Sequence, residues 1–309
     1  MSTTQAAGAI PRTRARRRPA RKRQWAGLVF VLPAVALVAV FFVVPLVMTA
    51  WMSLHNWPLM GVSRFIGFDN YLAIAKDGRF WTALRFTALY TVVVTVAIFA
   101  VAFPLALFVE KPRPFAGFYR TAYFLPVVVG FASASLLWSW LLNVDAGLFS
   151  PAAEALGLTA GRVNLLAAFD PAFWSIIAMV VWKVAGFTMM ILMTGLQGIP
   201  ADYLEAAKID GAGPWARFRR ITLPLMRRTI ALALILSVTG SMLAFDQFYI
   251  ILAGGPRNQT VTAVYWIFNQ SFVSFRLGYG AALSMVLLAI LMVLSVVQLR
   301  LLRHPEGES

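Results

Sequence analysis

The residues of this sequence best suited to chemistry sit together between two apolar runs, and their chemistry is that of docking rather than of bond-making. Gly198 to Pro224 carries Asp202, Glu205 and Asp210, then the basic row Arg217, Arg219 and Arg220. Pro200 can start a helix there, because its missing N–H falls among the donors that have no intrahelical partner. Asp202 and Glu205 suit the positive end of that helix. Ala206 and Ala207 keep one side low enough for another surface to approach closely. Asp210-Gly211 can turn the chain where only a residue tolerant of positive φ is comfortable. Beyond Ala212 and Gly213, Pro214 permits a second short helix in which Trp215 and Phe218 share a face, until Leu223-Pro224 stops it.

Other chemistries find little to work with. The chain has no Cys, and its two His are His55 and His304, so disulfides, Cys-ligated zinc and iron–sulfur clusters are excluded and a His-built metal site is not expected. No Gly is followed by Lys, so the phosphate loop G-x-x-x-x-G-K-[ST] is absent. No residues converge as a catalytic set would. The chain reads as a non-enzyme with no cofactor of its own.

The elements that position the polar stretch are apolar spans. Of 309 residues, 60% are hydrophobic and 13% charged, against about 25% charged in a soluble domain. The fold class expected is all-α, a polytopic membrane bundle. Windows near 20 residues, the length that crosses about 30 Å of hydrocarbon, give six spans: Trp25 to Ala50, Leu84 to Val109, Tyr119 to Leu142, Ala172 to Leu196, Thr229 to Leu252, and Tyr279 to Leu302. Pro33, Pro45, Pro104 and Pro126 predict kinks in the first three. Residues 1–24 form a basic arm, 25–303 the transmembrane domain with its polar loop at 197–228, and 304–309 a tail.

A net charge of +15 would suggest nucleic acid for a soluble protein, but its sorting along the chain points to the membrane. Arg12, Arg14, Arg16, Arg17, Arg18, Arg21, Lys22 and Arg23 crowd the disordered arm, and most of the other Lys and Arg outside the spans fall in the segments on the same side of the membrane as that arm. By the positive-inside rule both termini and the 197–228 loop are cytoplasmic. The arm reads as a topogenic cluster beside anionic lipid rather than an export signal or a nucleic-acid tail, since the apolar run after it is longer than a signal peptide's core.

Within the spans Lys183 and Asp246 are the informative charges, since a charge near the hydrocarbon must face a cavity or a partner. Lys183 suits either a polar pathway or an interhelical hydrogen bond, and Asp246 either a loop anchor or a ligand contact. Ser237, Gly240, Ser241 and Ala244 form a small, partly polar stripe. It suits helix packing, or a pathway for a polyhydroxylated solute with Phe187 and Trp182 as stacking surfaces. The candidate pathway set is therefore Lys183, Phe187, Ser237, Gly240 and Ser241. Of the outer loops, Met52 to Ala83 carries aromatics for the membrane surface or an external partner, Ser150 to Leu158 suits a short interfacial helix, and Ala253 to Thr260 holds a tight Gly-Gly-Pro turn.

Glu205-Ala-Ala-Lys-Ile-Asp-Gly-Ala-Gly-Pro214, with Arg120 to Pro126 and Phe245 to Pro256, resembles the EAA-motif permease subunits of binding-protein-dependent ABC importers. The likeness is to the maltose, lactose and glycerol-phosphate type. It covers nearly the whole chain from Trp25 on, although the arginine-rich arm is not part of the family pattern. The resemblance implies a type I importer fold and a coupling helix built on Glu205, Ala206, Ala207, Asp210, Gly211 and Ala212. It implies as partners a second, homologous permease, a cytoplasmic ATPase dimer that binds ATP and Mg, and an extracytoplasmic solute-binding protein that delivers a sugar. It also implies a prokaryotic inner, or plasma, membrane. The rival reading is a secondary transporter or channel without an ATPase, whose intramembrane carboxylates and inverted repeat the sequence does not display.

Overall fold

The computed structural model describes residues 30–111, 114–157, 159 and 161–302. The basic arm 1–24, the first residues of the first span, Arg113, Leu158, Arg303 and the tail 304–309 lie outside the described residues. The chain forms two units, one up to Trp51 and one from Met52 onward.

The described residues of the first unit lie in α1 (Phe30–Ser53), an apolar helix whose last two residues belong to the second unit. Neither Pro33 nor Pro45 breaks it. Ala39–Val43 forms a π-turn in which the N–H of Val44 reaches back to the Ala39 carbonyl, and Pro45 follows directly. A proline ring strikes the carbonyl four residues before it, and a widened turn moves that carbonyl aside.

The second unit opens with a short antiparallel pair, β1 (His55–Asn56) with β2 (Arg64–Phe65), His55 facing Phe65. The expected long loop is therefore partly built, and α2 (Asp69–Lys76) completes it. Asn70 ties the segment together, its Nδ2 donating to the carbonyls of Ser53 at 2.8 Å and His55 at 3.0 Å. Met60, Val62, Phe65 and Phe68 stay exposed.

Asp77 starts α3 (Gly78–Glu110), whose 33 residues run unbroken through Pro104. Its Oδ1 accepts from the backbone N–H groups of Arg79 (3.0 Å) and Phe80 (3.2 Å), capping the helix, while Oδ2 accepts from Trp266 Nε1 (3.0 Å) and the Tyr279 hydroxyl (2.7 Å). One carboxylate thus joins three distant parts of the chain. Burial pulls this carboxyl upward, but the four hydrogen bonds outweigh it and hold Asp77 below the usual carboxylate range. A depressed folded-state value means that its stabilisation is complete above the unfolded carboxylate range and is lost as pH falls through the lower folded value. Asp77→Asn keeps an oxygen to cap α3 but turns Oδ2 into an amide nitrogen that cannot accept from Trp266 or Tyr279, so it should lower thermal stability near neutral pH by roughly 1–3 kcal/mol. It should also flatten the acid limb of a Tm-against-pH curve; curves of equal slope would contradict this.

The third span departs from expectation. Instead of one helix from Tyr119 to Leu142 it is α4 (Ala116–Val128) and α5 (Phe131–Leu141), bent by 96°. Pro126 lies inside α4, so the break falls after it, at extended Val129 and Gly130. α6 (Phe149–Ala155) follows, near the expected Ser150 to Leu158, with the buried Ser150 hydroxyl accepting from Val163 N–H at 3.0 Å.

α7 (Phe169–Gln197) is the centre of the second unit, more deeply buried than α3 or the last helix. With α3 and α5 it builds a cluster around Tyr90, Ile176 and Phe248. Further along, Ala102, Met189, Leu192 and Met226 form a second. A third gathers Phe80, Met242, Tyr279 and Leu283. The polar stretch supplies α8 (Ala201–Ile209) and α9 (Pro214–Leu225), and α9 meets α10 (Arg227–Met242) at a 70° bend. The fifth span, expected to run to Leu252, stops at Met242 and resumes as a π-turn at Phe248–Leu252. Thr262 accounts for the break: its hydroxyl donates to the Ala244 carbonyl at 2.8 Å and also caps α11 (Ala263–Phe268). α12 (Leu277–Leu302) ends the bundle. Among the described residues, four helices are long and apolar enough to cross a membrane, or up to six spans if each bent pair counts as one.

Candidate functional site

The 197–228 stretch is rooted in the bundle at one side and open at the other. α8 begins after Pro200, which is its cap rather than its first helical residue, and carries Asp202 in the first turn. It closes with two reverse bonds, Gly211 N–H to the Lys208 carbonyl (3.0 Å) and Ala212 N–H to the Ala207 carbonyl (2.9 Å). This is a Schellman motif, and its left-handed position is Gly211 with φ +77°. Extended Gly213 then leads into Pro214 at the head of α9.

α9 does not stop at Leu223-Pro224 as expected. Phe218–Thr222 widens to a π-turn, Leu223 N–H reaches the Phe218 carbonyl, and the helix passes Pro224 to end at Leu225. The spacing of π-turn and proline repeats that of α1, and the physical reason is the same.

The two alanines part company. Ala207 is buried, whereas Ala206 is exposed beside Glu205. Phe218 packs back on the bundle, edge-on to Phe103 at 5.5 Å, and its other neighbour, Trp215, stacks on it at 5.7 Å. Trp215 itself is 71% exposed, so the expectation that both aromatics share a face holds, but only Phe218 reaches helix α3. Thr222 and Met226 are buried at the root. The outward face then consists of Tyr203, Glu205, Ala206, Ile209, Asp210, Gly211 and Trp215, with Ile209 87% exposed. Large apolar groups thus stay exposed on an otherwise polar loop whose turn is closed.

The five candidate pathway residues are not brought to one lining. Lys183 is buried, and its ammonium is spent on backbone carbonyls of the α4 end. Ser237 and Ser241 are buried, Ser237 donating to Thr95 on α3 at 3.3 Å. Gly240 and Phe187 are exposed. Two features went unread in the sequence. Thr87, Thr91 and Thr95 lie at four-residue spacing on α3, all buried, next to Tyr90, whose hydroxyl accepts from Gln247 Nε2 at 3.1 Å. That spacing was the available signal. The other is a cavity of about 700 Å³ lined by Lys76, Arg79, Asn258, Gln259, Trp266 and Asn269 among others, which joins loops too far apart in sequence to be read together.

The profile of the binding-protein-dependent transport system inner membrane components matches residues 71–304. The chain belongs to this family. It is a multi-pass membrane protein and a transport subunit rather than a catalytic one. Across 279 residues this transport component is 32% identical to the lactose transport system permease protein LacF of Rhizobium radiobacter, covering 88% of this chain and 92% of the relative. It is 32% identical over 291 residues to the sn-glycerol-3-phosphate transport system permease protein UgpA of Salmonella typhimurium, covering 92% and 96%. It is 28% identical over 279 residues to a probable starch degradation products transport system permease protein, AmyD, of Thermoanaerobacterium thermosulfurigenes, covering 90% and 94%. Its fold matches a chain of a bacterial alginate ABC transporter, solved with an alginate pentasaccharide-bound periplasmic protein, at a TM-score of 0.78 and 21% identity over 91% of this chain.

Proposed function

We propose that this component is one permease half of an ATP-driven ABC importer for a carbohydrate, paired with a second permease, a cytoplasmic ATPase dimer that binds ATP and Mg, and an external solute-binding protein. The observation that carries the proposal is the closed α8 turn with its exposed face of Tyr203, Glu205, Ala206, Ile209 and Gly211. In this reading α8 is the coupling helix seated on the ATPase, each bent pair is one span, and both termini are cytoplasmic in a prokaryotic inner membrane. Glu205 and the row Arg217, Arg219 and Arg220 supply charged contacts at the rim. ATP-driven movement of the docked helix then tilts the bundle as a rigid body between inward and outward access. The carbohydrate is supported by LacF, AmyD and the alginate transporter, three relatives named for saccharides.

The test is purification of the tagged full chain from its native membrane. An ABC ATPase and a second permease should co-purify, and labelled saccharides offered with the binding protein should accumulate in vesicles only with ATP. A chain purifying without any ATPase, or uptake unaffected by ATP depletion, would overturn the proposal.

The solute path in this reading lies between the two permeases, and of the five candidates only the exposed Phe187 and Gly240 remain available to it. Ser237, bonded to Thr95 on α3, and the buried Ser241 then act mainly in packing. Ser237→Ala with Ser241→Ala should cost about 1 kcal/mol of stability for the lost hydrogen bonding. Half-saturation of uptake should stay within twofold; a tenfold rise would instead place these hydroxyls on the path.

A further inference from the structure

The break between α4 and α5 needs something to hold it. An uninterrupted helix from Ala116 to Leu141 would be about 39 Å long, ample for a hydrocarbon layer of about 30 Å. Such a helix would also satisfy every internal carbonyl but that of Ala122, four residues before Pro126, which has no N–H to give. The observed bend instead leaves the last carbonyls of α4 without helical donors inside an apolar run, where water cannot serve them.

Lys183 serves them. Reaching across from α7, its ammonium lies 3.4 Å from the Pro126 carbonyl and 3.5 Å from that of Val127, and it also donates to the Val129 carbonyl. It sits 4.6 Å from the centre of the Phe131 ring, the first residue of α5. An ammonium has three donors and no acceptor, which suits three carbonyls, and its charge suits the negative end of a helix. Gly186, one turn along the same face, brings the α7 backbone against the Tyr123 carbonyl, close enough for the Lys183 stem to reach. Arg120 treats the end of α3 in the same way, with Nη2 on the Val109 carbonyl at 2.7 Å. The third segment and its neighbours are thus ordered by cations placed on helix ends.

We infer that Lys183 is a positioning residue for transport: its ammonium, shared among three carbonyls, holds the 96° bend and so sets α5 against the Phe248–Leu252 turn. Trp138 and Leu142 join Ile251 and Leu252 in one buried cluster, and Trp182, beside Lys183, meets Trp138 at 6.0 Å. Loss of the ammonium frees α4 and α5 to straighten and withdraws α5 from that cluster. The bearing on transport rests on the proposed function; the bend does not.

The absence of Cys makes the bend measurable in the full chain. Phe118→Cys on α4 and Trp140→Cys on α5, both exposed, take nitroxide labels, and the chain is reconstituted in lipid with the subunits that co-purify with it. From the rise of 1.5 Å per residue, the two backbones should lie about 22 Å apart across the bend and about 33 Å apart in a straight helix. Electron spin resonance should give a single narrow distance in the otherwise wild-type chain. Lys183→Met should shift or broaden it towards the longer value and reduce uptake at least tenfold. Lys183→Arg should restore both the narrow distance and more than half of the uptake. A Met variant with the wild-type distribution overturns the inference, and so does an Arg variant as broad as the Met variant. Should the Met variant not reach the membrane, Lys183→Gln, with two donors for three carbonyls, replaces it and should be broadened; a wild-type distribution there is equally fatal. If distances change as stated while no saccharide is imported by any form, the positioning role stands and the carbohydrate reading falls.

Discussion

Gly211→Val should reach the membrane in normal amounts, purify as a folded chain and yet import solute at less than a tenth of the wild-type rate. The side chain would meet no neighbour, since nothing lies within 4 Å of a Cβ built at this position. Its cost is conformational. At φ +77° a β-branched residue is a true outlier, worth about 1–3 kcal/mol of strain. The bundle does not depend on this turn, so the strain is relieved by opening it, which releases the bonds to Lys208 and Ala207. The exposed face of α8 then loses its fixed shape, and each 1.4 kcal/mol needed to restore it on docking would weaken the proposed ATPase complex about tenfold. Gly211→Asn provides the contrast, because Asn tolerates the left-handed region and should retain most of the uptake. Uptake, together with the ATPase recovered per permease after purification, checks both. Wild-type uptake by the Val variant would remove Gly211 from the coupling mechanism.

Gly186→Leu should have a larger and different effect, namely loss of the folded chain. A Cβ at Gly186 would run into the Tyr123 carbonyl, which is backbone and cannot rotate away. Overpacking of this kind costs about 1–3 kcal/mol or more, and here it also forces α7 away from α4 and lifts Lys183 off its carbonyls. Little monodisperse protein should survive detergent extraction, and Gly186→Ala should already lower the apparent Tm. Gly240→Ala is the matched control. Its Cβ meets open space, so replacing a helical Gly should leave stability unchanged or raise it by up to about 1 kcal/mol. Equal recovery of the Gly186 and Gly240 variants would refute the close crossing.

What could be read from the sequence was what is local. The α8 turn at Asp210-Gly211, the long apolar helices α3, α7 and α12, and the family itself through the EAA-like stretch are all carried by residues adjacent in the chain. What could not be read depends on distant partners. The third span, where Pro126 predicts no more than a kink, breaks fully at Val129, with a lysine 54 residues later on the carbonyls this frees, and the fifth ends at Met242 where Thr262 takes the Ala244 carbonyl. Asp77 would pass for an ordinary helix cap until Trp266 and Tyr279 arrive beside it. The pathway candidates show the same limit. Ser237, Gly240 and Ser241 share one spacing, yet Ser237 bonds Thr95 on α3, Ser241 is buried and Gly240 is exposed, because a stripe of small residues does not say which side is covered.

The π-turn at Phe218–Thr222 has a consequence for insertions and deletions. Such a turn holds one residue more than an α-turn, and a helical residue advances the chain by about 100°. The exposed Trp215 on one side of it and the buried Thr222 and Met226 on the other therefore keep their facings only with that surplus residue in place. Removing one residue here would give a more regular helix and a misdirected one, swinging α8 and its docking face about a quarter-turn or more around the bundle. Length across this segment is thus under tighter control than the identity of its side chains.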